Sequence, residues 1–195
     1  MDIIIIHGSP GTGKTTVATH LHERLKSPWF EFGWIPEFNQ LNPHTRILPK
    51  KEEQLSFENL VLVCKNYLKY GFKNILLTDL QDIRMLDIAT AFESYQYLIV
   101  TLYSNEDTLI KNRILNRNNG NEYRNVNEAL NLNDKIKKRA PLANEMRLCI
   151  DGLSIEEMGD TICDWIQNYR QDSVVKTDVN KADYFTYFDK TGNYK

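Results

Sequence analysis

Near the N-terminus the residues Gly8, Ser9, Pro10, Gly11, Thr12, Gly13, Lys14 and Thr15 read GSPGTGKT, a complete GxxxxGK[ST] pattern, and Thr16 follows it. This spacing suits the binding of a polyphosphate. The glycines let the backbone curl so that successive N–H groups point inward at phosphate oxygens, and a helix starting at the lysine adds its positive end. Lys14 supplies a cation for β and γ phosphates, and the Thr15 hydroxyl is the usual magnesium ligand of such a loop. ATP and Mg2+ are the expected cofactors, with the preferred purine left open by the loop itself.

Other residue types complete the chemistry of phosphoryl transfer. Asp79 ends an apolar run, NILLTD, and a carboxylate there is expected to hold magnesium with Thr15; capping the next helix is compatible with that role. Asp82 offers an alternative cap, and Arg84 faces either a substrate anion or solvent. Arg113 and Arg117 stand four apart, so on a helix they share one stripe, which leads into an asparagine-rich stretch containing Arg124. Guanidinium groups brought in by a closing segment stabilise the charge spread over a moving phosphoryl group, each worth about 3 kcal/mol of barrier. Glu31 and Glu37 flank an aromatic segment with Phe32, Trp34 and Phe38; Glu37, in the irregular part, is the preferred proton acceptor for a substrate hydroxyl, and the catalytic set is Lys14, Arg113, Arg117 and Glu37.

These residues need a scaffold. Ile3 to Ile6 form a β-branched run fit for a strand buried on both faces, and Val17, Ala18, Leu21 and Leu25 recur at helical spacing after Lys14. Trp29 to Phe32 reads as a second strand, followed by an irregular connection marked by Gly33, Pro36, Pro43 and Pro49. A helix over 52–70, buried through Leu60, Cys64, Tyr67 and Leu68, is expected to end in a left-handed cap at Gly71. A third strand covers 74–79, a short helix 83–91 and a fourth strand 97–102. Ser104 and Asp107 form a capping-box pattern for a helix through Arg117, a polar excursion spans 116–127, and a helix runs from Glu128 toward Ala140 and Pro141. Arg147 to Ile150 is the last strand. Ser154 and Glu157 cap a final helix with Ile155, Met158, Ile162, Trp165 and Tyr169 on one face. Alternating strands and helices predict a three-layer α/β/α domain over 1–170 with a five-stranded parallel sheet and a small lid at about 116–127; residues 171–195 form a tail that docks or meets a neighbour through its aromatics.

The chain has 195 residues and a formal net charge of −2, which gives no general attraction to nucleic acid or anionic membrane. Its three cysteines show no CxxC spacing, so reduced thiols are expected at Cys64, Cys149 and Cys163. No basic stretch precedes the short apolar run at the N-terminus, so a cytoplasmic protein, monomeric or homodimeric, is expected, with no membrane partner. Lys135, Lys137, Lys138 and Arg139 read as a solvated helix face and His7 as a packed residue. His20 and His22 lack partners at zinc spacing, and the NKAD run at 180–183 reads as a chance match to a guanine-reading motif.

GSPGTGKT, the helix leading into NILLTD, and RILNRNNGNEYR together resemble the nucleoside and nucleotide kinase-like branch of the P-loop NTPases, which includes adenylate, shikimate and gluconate kinases and chloramphenicol phosphotransferase. The segment PWFEFG is similar to the last of these, although Trp34, Ile35 and Pro36 precede Glu37 where that group has an aspartate soon after the glycine. The chain has TDLQDIR where adenylate kinases have DGxPR, which disfavours a nucleoside monophosphate acceptor. The resemblance implies the P-loop kinase fold and transfer of the γ-phosphoryl group of ATP to a small-molecule acceptor. A nucleotide-dependent switch or ATPase acting through a protein partner, and a kinase of nucleic-acid ends, are the alternatives.

Overall fold

A computed structural model describes residues 1–35, 49–117 and 123–169. Glu37, the centre of the polar excursion, the tail and the NKAD run lie outside the described residues. In chain order the elements are β1 (Ile3–Gly8), α1 (Lys14–Leu25), β2 (Trp29–Glu31), a 3₁₀ turn (Phe32–Trp34), α2 (Pro49–Lys69), β3 (Ile75–Thr78), a second 3₁₀ turn (Asp82–Leu86) and α3 (Ile88–Ala91). Then follow β4 (Tyr97–Tyr103), α4 (Asp107–Leu115), α5 (Val126–Lys138), β5 (Glu145–Cys149) and α6 (Ile155–Asn168). The five strands form one sheet in the order β2-β3-β1-β4-β5, every pair parallel, as the sequence pattern predicts.

The isoleucine run lies at the centre of the sheet because both its faces are apolar. Ile3 and Ile5 pack with Phe57, Leu60 and Cys64 of α2 and with Ile88 of α3, whereas Ile4 and Ile6 pack with Val17 and Leu21 of α1 and Met158 and Ile162 of α6. All four are essentially solvent-free, each worth roughly 1.5–3 kcal/mol as an upper bound. Helices α4 and α5 pack on each other through Ile110, Ile114 and Ala129. Because β3 and β4 lie on opposite sides of β1, the chain order reverses at β1, and the carboxyl end of that strand opens a crevice for ligands.

Element ends follow local chemistry. At the end of α2, Gly71 takes φ 89°, Phe72 N–H bonds the Tyr67 carbonyl at 3.2 Å, and Gly71 N–H bonds that of Leu68 at 2.9 Å. The Tyr67 and Phe72 rings meet at 5.1 Å, which completes a Schellman cap with its hydrophobic contact. Ser154 and Glu157 form the expected reciprocal capping box at α6.

Several expectations are corrected. Ser104 does not cap α4: Glu106 holds that position without a side-chain cap bond, and Ser104 Oγ turns instead to the Glu106 backbone N–H and to the Asp151 carboxylate. Helix α4 stops at Leu115, so Arg117 lies beyond it rather than on its stripe. The helix expected over 83–91 breaks into a 3₁₀ turn and one α-helical turn, β2 gives way to a 3₁₀ turn at Phe32, and β5 starts at Glu145. Lys135 and Arg139 are buried, not part of a solvated face, while Lys137 pairs with Asp134 and Lys138 is exposed. All three cysteines are free, and burial pushes the Cys64 thiol up to about 12.

Candidate active site

The loop between β1 and α1 owes its shape to groups behind it as much as to those facing outward. Gly8 has φ 144°, and a Cβ there would fall 2.5 Å from the Leu102 carbonyl oxygen and 2.7 Å from Thr12 Oγ1. Any side chain would force β1 away from β4. Thr12 is fully buried, and its hydroxyl donates to the Ser9 carbonyl at 2.8 Å, which fastens the curl from inside. Gly13 is the N-cap of α1 at φ 91° and offers no side chain, so the first amides of the helix stay open to an anion.

In front of this loop lies a cavity of about 990 Å³. Pro10, Gly11, Gly13, Lys14, Thr15 and Thr16 form one wall; Gly8, Ser9 and Thr12 are the supports behind it. Lys14 Nζ donates to the carbonyls of Gly8 at 2.9 Å and Ser9 at 3.3 Å, so its charge is held across the loop. Burial pulls the Lys14 pKa down; the charges of Asp79 and Glu31 oppose that pull, and Arg117 adds to it.

Glu31 and Asp79 form the second wall, from the ends of neighbouring strands. Asp79 is exposed and adopts φ 63°, a left-handed conformation that aspartate tolerates better than most residues. The turn after β2 lies against it, since a Cβ on Gly33 would sit 3.7 Å from Asp79 Oδ2. The side chains of Thr15 and Trp34 stand near the Glu31 carboxylate and favour its ionised form. Burial, and then the negative charge of Asp79, push its pKa above the usual carboxylate value, against the opposing influence of Lys14, Thr15 and Trp34.

The third wall comes from α4 and the segments around it. Leu109, Asn112, Arg113, Asn116 and Arg117 line it, joined by Tyr123 and Ile155. Arg113 Nη1 donates to the Thr12 carbonyl at 3.5 Å, which places this guanidinium at the lip of the loop. Arg124 Nη2 reaches the Arg117 carbonyl at 3.3 Å and ties the two sides of the excursion together. Tyr123 donates to Glu128 at 3.2 Å; burial and the Glu128 charge push its phenol up to about 12, so it stays protonated at neutral pH.

The structure therefore brings Lys14, Thr15, Asp79, Arg113 and Arg117 around one cavity. It adds Glu31, which the sequence reading ranked below Glu37. Leu109, Asn112 and Asn116 were missed, although they share the three-and-four spacing of Arg113 and Arg117, and that spacing was the available signal. Nothing local marked Tyr123 or Ile155.

The oxygens of Thr15, Glu31 and Asp79 are hard donors suited to Mg2+. Among the described residues no three His, Cys, Asp or Glu side chains group into a metal cage, so a cation here would complete its shell with phosphate and water. Glu31 and Asp79 repel each other, and a divalent cation beside them would relieve that repulsion. The residues present fit the ion.

No family model and no curated protein matches the sequence. Solved structures do match the fold. A sugar kinase from Janibacter sp. HTCC2649 superposes with a TM-score of 0.63 at 15% identity, covering 86% of this chain and 95% of its own. The tunicamycin resistance protein of Deinococcus radiodurans gives 0.60 at 20% identity, covering 85% and 95%. A gluconokinase from Sinorhizobium meliloti 1021 gives 0.56 at 11% identity, covering 86% and 98%. At such identities the likeness concerns the fold alone, an α/β domain built on a five-stranded parallel sheet as the sequence pattern predicts.

Proposed function

We propose that this protein is an ATP- and magnesium-dependent phosphotransferase that moves the γ-phosphoryl group to a hydroxyl or phosphate of a small molecule. The observation that carries the proposal is the convergence, around one cavity, of a phosphate loop, two arginines on one side and two carboxylates with a hydroxyl on the other. The fold is shared with a sugar kinase and a gluconokinase, which supports the same reaction class.

Roles follow from position. The loop amides and Lys14 bind the phosphates and neutralise charge as the bond to the leaving diphosphate opens. Arg113 and Arg117 face the same space and stabilise the negative charge on the transferring group, about 3 kcal/mol for one well-placed donor. Thr15 and Asp79 would hold Mg2+, which would supply positive charge against that of the phosphates. The acceptor oxygen attacks phosphorus, ADP leaves, and the acceptor proton passes to a carboxylate. Glu37 was expected there and lies outside the described residues; Glu31, with its raised pKa, is the carboxylate at the described cavity that suits proton acceptance.

Two of the four residues in the basic cluster on α5 and its C-cap are buried, which argues against that helix as a nucleic-acid surface. No helix among the described residues is long and apolar enough to cross a membrane. The test is ATP consumption with magnesium, alone and across nucleosides, nucleotides, sugars, sugar acids and hydroxylated antibiotics, with product identified by mass. Stimulation by one acceptor class with a phosphorylated product supports the proposal. Hydrolysis indifferent to every acceptor would replace it with a nucleotide switch acting through a partner.

A further inference from the structure

Asp82 carries a carboxylate that the cavity does not use. It begins the second 3₁₀ turn, yet the N-cap there is Gln81, which makes no side-chain cap bond. The Asp82 carboxylate points inward to His7 Nε2 at 2.7 Å, with the two side chains only 4% and 3% exposed. Burying a charged or polar pair is unfavourable compared with packing apolar groups of similar size, so its value lies in where it holds the chain.

Both ends of this bond adjoin the site. His7 immediately precedes Gly8, whose carbonyl accepts the hydrogen bond from Lys14. Asp82 follows Asp79 by three residues. The pairing of β1 with β3 ends at Ile6 opposite Thr78, and the chain then swings through the left-handed Asp79. Beyond that ladder, His7 to Asp82 fastens the connection to β1 a second time. From the other side Arg139 Nε lies 3.8 Å from Asp82 Oδ1, while its Nη atoms grip Glu145 of β5 at 2.6 and 2.8 Å. Asp82 is thus held between the start of the phosphate loop and the end of α5.

We infer that the His7–Asp82 pair is a positioning element for the metal-binding end of the site: it fixes the turn that presents Asp79 beside Lys14, so the contribution of magnesium to ATP affinity depends on it. This inference rests on the ATP and magnesium reading above. Neither residue lines the cavity, so neither is a catalytic residue.

Calorimetric titration of the full chain with ATP, in magnesium and in EDTA, separates the tether from the phosphate loop. The readout is the gain in affinity that magnesium confers. Asp82→Leu and His7→Leu should each cut that gain about tenfold while leaving affinity in EDTA within about twofold, as loss of an outer-shell support does at metal sites. Asp82→Asn keeps an acceptor for the imidazole N–H and should restore the gain, and Asp79→Ala should lose it directly. If the leucine variants fail to fold by circular dichroism, His7→Asn, whose side chain is too short to span the gap, carries the test with the same outcomes. A folded variant with an undiminished gain, or an equal loss in EDTA and in magnesium, overturns the tether. Failure of wild type to bind ATP, or a gain indifferent to Asp79→Ala, overturns the metal reading itself.

Discussion

Two groups of charges in this molecule are handled in opposite ways. Around the cavity, Lys14, Glu31, Asp79, Arg113 and Arg117 face open space, and Glu31 is held with its pKa raised by burial and by Asp79. In the interior, Glu145 accepts from Arg139, from Thr101 and from the Leu142 amide, with Arg147 beside it. Burial pushes the Glu145 pKa up, but Arg139 and the hydrogen bonds outweigh that and hold it below the usual carboxylate value. One carboxylate is strained by its surroundings and the other is satisfied by them. On the proposed function, the difference separates charge kept for a ligand from charge used to hold the fold, and it yields predictions of opposite sign.

The largest expected effect lies in the cavity. Lys14→Ala should reduce phosphoryl transfer by about a thousandfold or more, since it removes the cation at the transferring phosphates. Its melting temperature should stay near that of wild type, because Nζ bonds only two loop carbonyls. A comparable loss of stability would show that the cavity charges are structural too.

Next comes the interior. Arg139→Ala leaves Glu145 buried with its main ion pair gone, and should destabilise the fold by about 3–5 kcal/mol in chemical denaturation. Because the folded pKa of Glu145 is depressed, its stabilisation is present above the ordinary value of 4.5 and is lost as pH falls through the lower folded value. Wild type and Glu145→Gln should therefore converge in stability in strong acid and diverge toward neutral pH, with wild type the more stable.

Arg113→Ala and Arg117→Ala should each cost about a hundredfold in kcat with little change in stability, which steady-state kinetics and thermal melts check together. The difference between them sharpens the comparison. Arg113 is tied to the Thr12 carbonyl at the loop, whereas Arg117 lies beyond α4 with its backbone carbonyl held by Arg124. Arg124→Ala should thus weaken the Arg117 contribution and leave that of Arg113 intact, and a double-mutant cycle reads this directly.

The fold was legible because its strongest signals are local. The isoleucine run, the helical stripe after Lys14, Gly71 and the Ser154 box each specify their element with groups a few residues apart. Ser104 misled because a serine three residues before an acidic residue has the same pattern whether it caps a helix or turns to Asp151, 47 residues away. The burial of Arg139 was hidden for the same reason, since its partners Asp82 and Glu145 lie on other elements. Within the site, the loop and the arginines could be read from spacing. The choice of Glu31 could not, because its environment is made by Thr15, Trp34 and Asp79 converging from three segments.

The most direct test pairs the two carboxylates. Because the folded pKa of Glu31 is raised, its ionised form is unfavourable in the ligand-free protein, and stability is lost as pH rises through that folded value. Melting temperatures at neutral pH and ATP turnover, measured on Glu31→Gln and Glu145→Gln beside wild type, decide the matter. Glu31→Gln should melt higher than wild type while turning over more slowly, and Glu145→Gln should melt lower. A lower melting temperature for Glu31→Gln, or full turnover from it, would contradict the view that the cavity holds its charges for a phosphate ligand and its metal.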